Sequence, residues 1–533
     1  MEGVMRRKKG MIKPIEITTT TGEEQEKMEE EEEPLSPGSV IFHRPGFNIH
    51  ILAIMGCMTP INLEVVKAKV PITLLKHPRF SSVVVGDPSK GEELRWVRTK
   101  VDLDKHIIVP EIDANKIESP DKFVEDYIYN LSKTTLDKTR PLWDVHILQL
   151  KTFNVEAEGI GIFRIHHSLG DGTSLISLLL ALTRKISDPE AVPTIPVQKK
   201  PKKISKNDSP KRLFWRGVLA IWWVVKLLYN TMVDVMMFVA TALFLKDTET
   251  PMKGGNGVAL TPRRVVYKMV GLDDMKLVKN AMDATINDVA LGITQAGVSR
   301  YLNRRSGVAV KNHGETLEKR NSLPKHIRIR SVLLINIRPS GGIQVLADLM
   351  EKNAEAKWGN SIGYVLLPFS IGLHDDPLDY IRKAKVTVDR KKHSLEALFT
   401  FSIAELVMKF VGTKVASALS HRVNSHTTMC FSNLVGPLEE IGFYGHPMAF
   451  LAPSCYGQPH ALMINFQSYV NKMTIVLSVD EDAIPDPHQL CDDIAECLKL
   501  VKNAVISQGL VRGTGILTGS GSDAQLGQDV GTI

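Results

Sequence analysis

Between residues 217 and 245 the chain runs for about 29 residues almost wholly in Trp, Val, Leu, Met and Phe, and this stretch limits what the rest can build. About 20 apolar residues suffice to cross a bilayer, so Gly217–Leu245 is long enough. Two features oppose a crossing. Lys226 and Asp234 lie inside the stretch, and charge at bilayer depth is costly. Lys226, Asn230 and Asp234 also recur every four residues, so a helix carries them as one polar stripe, the pattern of an interfacial or core-packed helix. A single span would put the two flanking halves on opposite sides of a membrane. If both halves build one site, a second crossing is needed, and the sequence offers no second candidate. Three readings stay open at this point: peripheral or re-entrant membrane contact, a span, and an internal core helix.

A chain of 533 residues is too long for one ordinary core. The expected organisation is a disordered acidic tail over 1–36, a first half over 37–198, a basic linker with the apolar helix over 199–256, a second half over 257–510, and a Gly/Ser-rich disordered tail over 511–533. With 43% hydrophobic and 23% charged residues the halves are globular. The net charge of +7 is uneven: Glu23–Glu33 is almost wholly acidic, Lys199–Arg212 strongly basic. No nucleic-acid or zinc motif accompanies the excess, which leaves weak attraction to anionic lipid or to coenzyme phosphates. In either membrane reading Lys199–Arg212 lies on the cytosolic side. The scattered Cys57, Cys430, Cys455, Cys491 and Cys497 contain no C-x-x-C pair, and they point to a reducing compartment. The first residues lack the apolar run of a signal peptide.

The folded part begins with Phe42–Leu52 and Met55–Ile72. Arg140–Leu150 alternates, with Trp143, Val145 and Ile147 on one face and Asp144 and His146 on the other, which predicts a half-buried strand. Gly159–His166 reads as a strand, and Thr173–Ile186 as a buried helix starting at a Thr/Ser cap. In the second half, Thr285–Leu302 reads as a helix, Asn303–Lys325 as a polar loop and Ile327–Ile337 as a strand. Leu462–Tyr469 and Met473–Val479 form a hairpin turning at Asn471-Lys472, and Pro487–Ile506 is the last helix.

The chemistry concentrates in His166-His167-Ser168-Leu169-Gly170-Asp171-Gly172. Transfer from an activated acyl donor such as a thioester needs neither a metal nor a covalent intermediate, but it needs an alcohol deprotonated near neutral pH. A His with an ordinary pKa of about 6.5 suits that role. Gly170 and Gly172 permit a tight turn after the strand. Asp171 reads as a structural group that locks the turn by pairing with an Arg. A metal held by the adjacent histidines is disfavoured, because neighbouring strand residues point to opposite faces.

Further motifs follow in order: Pro141-Leu142-Trp143, Asn287-Asp288 within Thr285–Val289, and Ser432-Asn433-Leu434-Val435-Gly436-Pro437. With His166–Gly172 they match the P-L-W, H-H-x-x-x-D-G, N-D and S-N-x-x-G-P elements of the plant-type wax ester synthase/diacylglycerol acyltransferase family, which the chain resembles over about residues 38 to 505. The D-F-G-W-G element of the acyltransferases that modify phenolics is absent. The resemblance implies an α/β fold of two chloramphenicol-acetyltransferase-like half-domains around a central channel. It implies acyl-CoA as substrate, a fatty alcohol or diacylglycerol as acceptor, and no cofactor or metal. His167 would be the general base, His166 its neighbour and Asp171 the loop anchor, with Arg338 as its partner. It also places the protein at the endoplasmic reticulum membrane, catalytic part towards the cytosol, with the plasma membrane as a second candidate.

From the residues themselves, Asn287 and Asp288 serve equally as helix-capping groups. Asn433 offers amide donors to the oxyanion of thioester attack or is a turn residue before Gly436-Pro437. Trp143 is a packing residue. Two other functions remain: acyl transfer to another hydroxylated lipid such as a sterol, and a catalytically silent lipid-binding scaffold. The intact His167, Asp171 and Gly172 argue against the scaffold.

Overall fold

The computed structural model describes residues 32–87, 92–154, 156–196, 210–308, 323–324, 326–337 and 358–511. Residues 1–31, the basic linker up to Ser209, Arg338 and the tail from 512 lie outside the described residues.

The first half contains β1 (Glu32–Pro34), α1 (Pro37–Ile41), β2 (His50–Cys57), α2 (Leu63–Ile72), β3 (Ser82–Val85), β4 (Arg95–Arg98), β5 (Ile107–Ile108), α3 (Pro120–Ser132), β6 (Trp143–Leu148), β7 (Gly159–His166), α4 (Gly172–Leu182) and β8 (Thr183–Lys185). The long helix α5 (Pro210–Leu243) follows. The second half contains β9 (Arg264–Gly271), α6 (Leu272–Ala281), α7 (Ile286–Val308), β10 (Ile329–Asn336), β11 (Ile362–Phe369), α8 (Leu378–Lys392), α9 (Glu396–Phe410), α10 (Thr413–Ser425), β12 (Met429–Leu434), β13 (Ile441–Phe443), β14 (His446–Tyr456), β15 (Leu462–Tyr469), β16 (Lys472–Val479) and α11 (Pro487–Ser507).

Two main sheets result, in the orders β5-β6-β7-β2-β14-β13-β8 and β11-β10-β12-β15-β16-β9, beside a small sheet β1-β4-β3. The halves at 37–198 and 257–510 are not separable. β14 leaves the second half and pairs antiparallel with β2, from Met448 opposite Cys57 to Tyr456 opposite His50. β13 likewise pairs with β8. Both halves therefore lie on the same side of any membrane.

Several sequence expectations change. Glu32–Pro34 pairs with Arg95–Val97 although it falls in the stretch expected as tail, and Leu35 beside it is buried. β6 is buried on both faces, not one: Trp143, Val145 and Ile147 pack in the core, while Asp144 on the other face accepts from Arg164 Nε at 2.9 Å. A buried, paired charge replaces the solvent that alternation implied. The helix after the motif starts at Gly172 with Asp171 as its cap and ends at Leu182, where Thr183–Lys185 turns to pair with β13. α7 continues through Val308 into the expected loop. The β15–β16 turn is Val470-Asn471, since Tyr469 pairs directly with Lys472.

α5 resolves the polar stripe. Phe214–Leu243 is long and apolar enough to cross a membrane by length and composition, yet only 11% of its most apolar window is buried. Asn230 and Asp234 point into the protein: Asn230 Nδ2 donates to His393 O at 3.0 Å, and Asp234 Oδ1 meets Arg390 at 2.7 Å and Lys391 at 2.9 Å. Lys226, the third member of the expected stripe, is exposed. So are Trp222, Leu228, Met232 and Met236. The helix is inside-out relative to a soluble surface helix.

Candidate active site

β2 and β7 are Pro-free, Ile-rich runs that pair antiparallel through the middle of the first sheet. β7 ends at His166, and His167 N extends the ladder by donating to Ile49 O at 2.9 Å. One residue beyond a strand end, the His167 side chain is free to turn off the sheet. It lines a cavity of about 130 Å³ whose far wall comes from three other strands: Ser432 of β12, Ser454 of β14, and Met463 and Asn465 of β15. The cavity thus sits where the two sheets meet.

His167 is held from several sides. Its carbonyl accepts from Asn360 Nδ2 at 3.0 Å, and Ser39 Oγ donates to the next carbonyl, Ser168 O, at 2.9 Å. The Phe42 ring stacks on the imidazole with centroids 4.1 Å apart and planes 16° from parallel. Burial lowers the His167 pKa below 6.5, partly opposed by its own carbonyl and by the Asp171 charge. The ring is therefore neutral at physiological pH, the form a base requires.

His166 faces the other way. Its Nδ1 meets Ser168 Oγ at 2.7 Å and its Nε2 meets Asn48 Oδ1 at 3.1 Å, so both ring nitrogens are engaged in the turn. Burial, with other histidines nearby, drives its pKa well below the ordinary value. Asp171 Oδ1 accepts from Ser174 N at 2.9 Å, capping α4, and its Oδ2 accepts from Ser361 N at 3.2 Å. It joins the motif to the second half through a backbone amide beside β11. Gly170 is extended, with φ 174°, a conformation open to any residue. A Cβ there would be tight, 3.1 Å from Ser174 Cβ and 3.2 Å from the Trp358 ring, so either neighbour would have to give slightly. At Gly172 the added carbon would only touch Leu434, at 3.4 Å.

The other candidates divide. Asp288 Oδ2 accepts from Thr285 N at 2.7 Å while Asp288 N donates to Thr285 Oγ1 at 3.3 Å, a reciprocal cap on α7. Asn433 Nδ2 donates to Asn287 Oδ1, so these two asparagines tie β12 to α7. Asn433 does not line the cavity. Trp143 is 1% exposed and donates from Nε1 to Phe80 O at 2.8 Å, as a packing residue should. Sequence reading missed Phe42, Asn360, Ser454 and Asn465. Asn465 Nδ2 and Ser454 Oγ are buried without a hydrogen-bond partner among the described residues. The available signal was Asn465 inside the otherwise apolar Leu462-Met463-Ile464-Asn465-Phe466, since Asn is depleted in strands and a buried amide needs a partner.

Comparison with known proteins agrees with this geometry. Residues 48–290 match the wax ester synthase/diacylglycerol acyltransferase catalytic domain, and residues 358–502 the WS/DGAT C-terminal domain. Wax ester synthase/diacylglycerol acyltransferase 11 of Arabidopsis thaliana is 48% identical over 90% of this chain and 96% of its own, and number 5 of the same organism is 46% identical over 95% and 99%. The solved wax ester synthase/diacylglycerol acyltransferase from Marinobacter aquaeolei VT8 superposes with a TM-score of 0.53 at 15% identity, covering 89% of this chain and 100% of the other. The first condensation domain of the calcium-dependent antibiotic synthetase, at 12% identity, also gives 0.53 over 90% and 97%, and shares the two-lobed fold alone. The chain belongs to the wax ester synthase/diacylglycerol acyltransferase family, acyl-CoA-dependent O-acyltransferases.

Proposed function

We propose that the protein transfers a long-chain acyl group from acyl-CoA to a fatty alcohol, to diacylglycerol, or to both, with His167 as general base. The observation that carries this reading is a buried, stacked His167 lining a cavity walled both by its own sheet, at Ser454, and by the other sheet, at Ser432 and Asn465. The imidazole takes the proton of the acceptor hydroxyl as its oxygen attacks the thioester carbonyl. The tetrahedral oxyanion collapses, the C–S bond breaks, and the imidazolium returns its proton to the departing coenzyme thiolate. Ester and free coenzyme A leave, and no redox partner or metal enters the balance.

With Asn433 committed to Asn287, the oxyanion is received by the unpartnered wall groups, Asn465 Nδ2 and Ser454 Oγ. His166 and Asp171 hold the turn through Asn48, Ser168, Ser174 and Ser361.

The apolar face of α5 rests in a membrane surface without crossing it, at the cytosolic side of the endoplasmic reticulum. Two observations support this placement: the polar side of α5 is already bound to the protein, and both halves share one sheet.

The test is incubation of the purified protein with palmitoyl-CoA and either hexadecanol or diacylglycerol. Ester is expected with at least one acceptor, and His167→Ala should lower the rate by about 10²–10⁴-fold. Equal product from the variant would remove His167 from the chemistry.

A further inference from the structure

A second cavity, about 830 Å³, opens as a groove between the N-terminal segment and the end of α9, large enough for a lipid-sized ligand. Its floor is apolar, with Leu35 and Leu94 buried and Val40 and Met408 half-buried. Its outer lip is Leu406 and Phe410, which are 54% and 72% exposed.

The groove and the base share one element. α1 and the residues just after it supply Val40 and Arg44 to the groove, while Phe42, between them in sequence, stacks on His167. The same helix holds the motif turn through Ser39 Oγ on Ser168 O. On the opposite side, Arg44 Nη2 donates to Thr413 Oγ1 at 2.6 Å, closing the groove against α10. The segment Val40–Arg44 therefore touches the groove at both ends and the imidazole through Phe42 between them.

Charge selects the occupant. Glu92, Glu93 and Glu405 line the groove against Arg44 and Lys409, three carboxylates to two cations. Coenzyme A is polyanionic, and a rim with net negative charge disfavours it. A neutral alkyl chain meets no such barrier and gains by covering Leu35, Leu94 and Met408. The lip also adjoins other exposed apolar residues of α9, Leu398 and Ile403, on a helix that packs against α5. A water-insoluble ligand would arrive along that surface.

We propose that this groove holds the alkyl chain of the neutral acyl acceptor, and that Phe42 is the gate through which its hydroxyl reaches His167. The idea rests on the acyltransferase reading above. Its first test does not depend on turnover: the inactive His167→Ala protein is irradiated with a long-chain alcohol carrying a diazirine in its alkyl chain. Labelling is expected on the peptides bearing Val40 and Met408, suppressed by excess hexadecanol and not by palmitoyl-CoA. Label confined to other peptides, or suppressed only by palmitoyl-CoA, overturns the assignment.

The second test is kinetic, on Met408→Trp, with folding checked by thermal unfolding. The KM for hexadecanol should rise roughly tenfold or more, with the KM for palmitoyl-CoA unchanged. A rise for palmitoyl-CoA instead assigns the groove to the donor, and no change in either excludes it as a substrate site. Absence of ester from the unsubstituted protein would end the acyltransferase reading, whereas the photolabel decides the groove alone.

Discussion

The two longest helices are buried in the reverse order of their composition. α5, rich in Trp, Leu, Val and Met, leaves Trp222, Leu228, Met232 and Met236 exposed. α7 carries Asn287, Thr294, Gln295, Ser299 and Asn303, and all of them are buried. In α7 the hydroxyls return to the helix, Thr294 Oγ1 to Ala290 O and Ser299 Oγ to Gln295 O, each at 2.7 Å. Gly292 and Gly297 let α8 and α11 approach so closely that an added Cβ would lie 2.5 Å from the Ile381 side chain and 2.6 Å from that of Ile494. Close packing, not apolar content, makes α7 a core helix. α5 turns Asn230 and Asp234 to partners in the protein and leaves Lys226 and most of its apolar groups outward. Full pairing is not what buries α7, since both side-chain polar atoms of Gln295 lack a partner among the described residues, and the outward side of α5 is suited to lipid.

The sharpest way to break this contrast is Asp234→Ala. It removes a fully buried carboxylate from Lys391, which is 3% exposed, and from Arg390. Lys391 keeps Glu396 at 2.6 Å, so the loss should fall toward the lower end of the roughly 3–5 kcal/mol for an orphaned buried partner; thermal unfolding should still shift down, and an unchanged Tm would mean α5 is not anchored by its polar side. Next comes Gly297→Ala. Helix propensity alone would favour Ala by about 1 kcal/mol, but its methyl would lie 2.9 Å from the Ile494 backbone N and Cα. Overpacking of about 1–3 kcal/mol should win, and a stabilised variant would contradict the close approach. The smallest effect on folding is expected from the combined Trp222→Gln, Leu228→Gln and Met232→Gln, within about 0.5 kcal/mol per site. The same protein should lose flotation with phospholipid vesicles, and retained flotation would place the membrane contact elsewhere.

Much of this architecture was legible in the sequence because local pattern and tertiary role coincide. Gly159–His166 is mostly Gly, Ile and Phe, and it is a central strand. Pro487–Ser507 carries its period, and it is a helix. The strand end and turn around His167 were legible because the motif follows an Ile-rich strand with Gly-Asp-Gly. Long-range consequences were not. Nothing local in Ile441–Tyr456 says that it crosses to pair with β2 and β8. Arg164, which turns the polar face of β6 into a buried ion pair, is twenty residues from Asp144. Asn433 offered an amide donor for an oxyanion as readily as a turn residue, and in space its amide meets Asn287. Asn360 and Phe42 reach His167 only through the fold.

The account stands on His167 acting as a neutral base within its buried setting. Burial lowers its pKa, so the unprotonated, active form persists at and below the ordinary value of 6.5. The decisive measurement is kcat/KM for ester formation from palmitoyl-CoA as a function of pH, which reports the free enzyme's essential groups. A plateau through neutral pH with an acid limb whose midpoint lies below 6.5, abolished in His167→Ala, is the expected result. A midpoint above 6.5, or the same limb in His167→Ala, would contradict it.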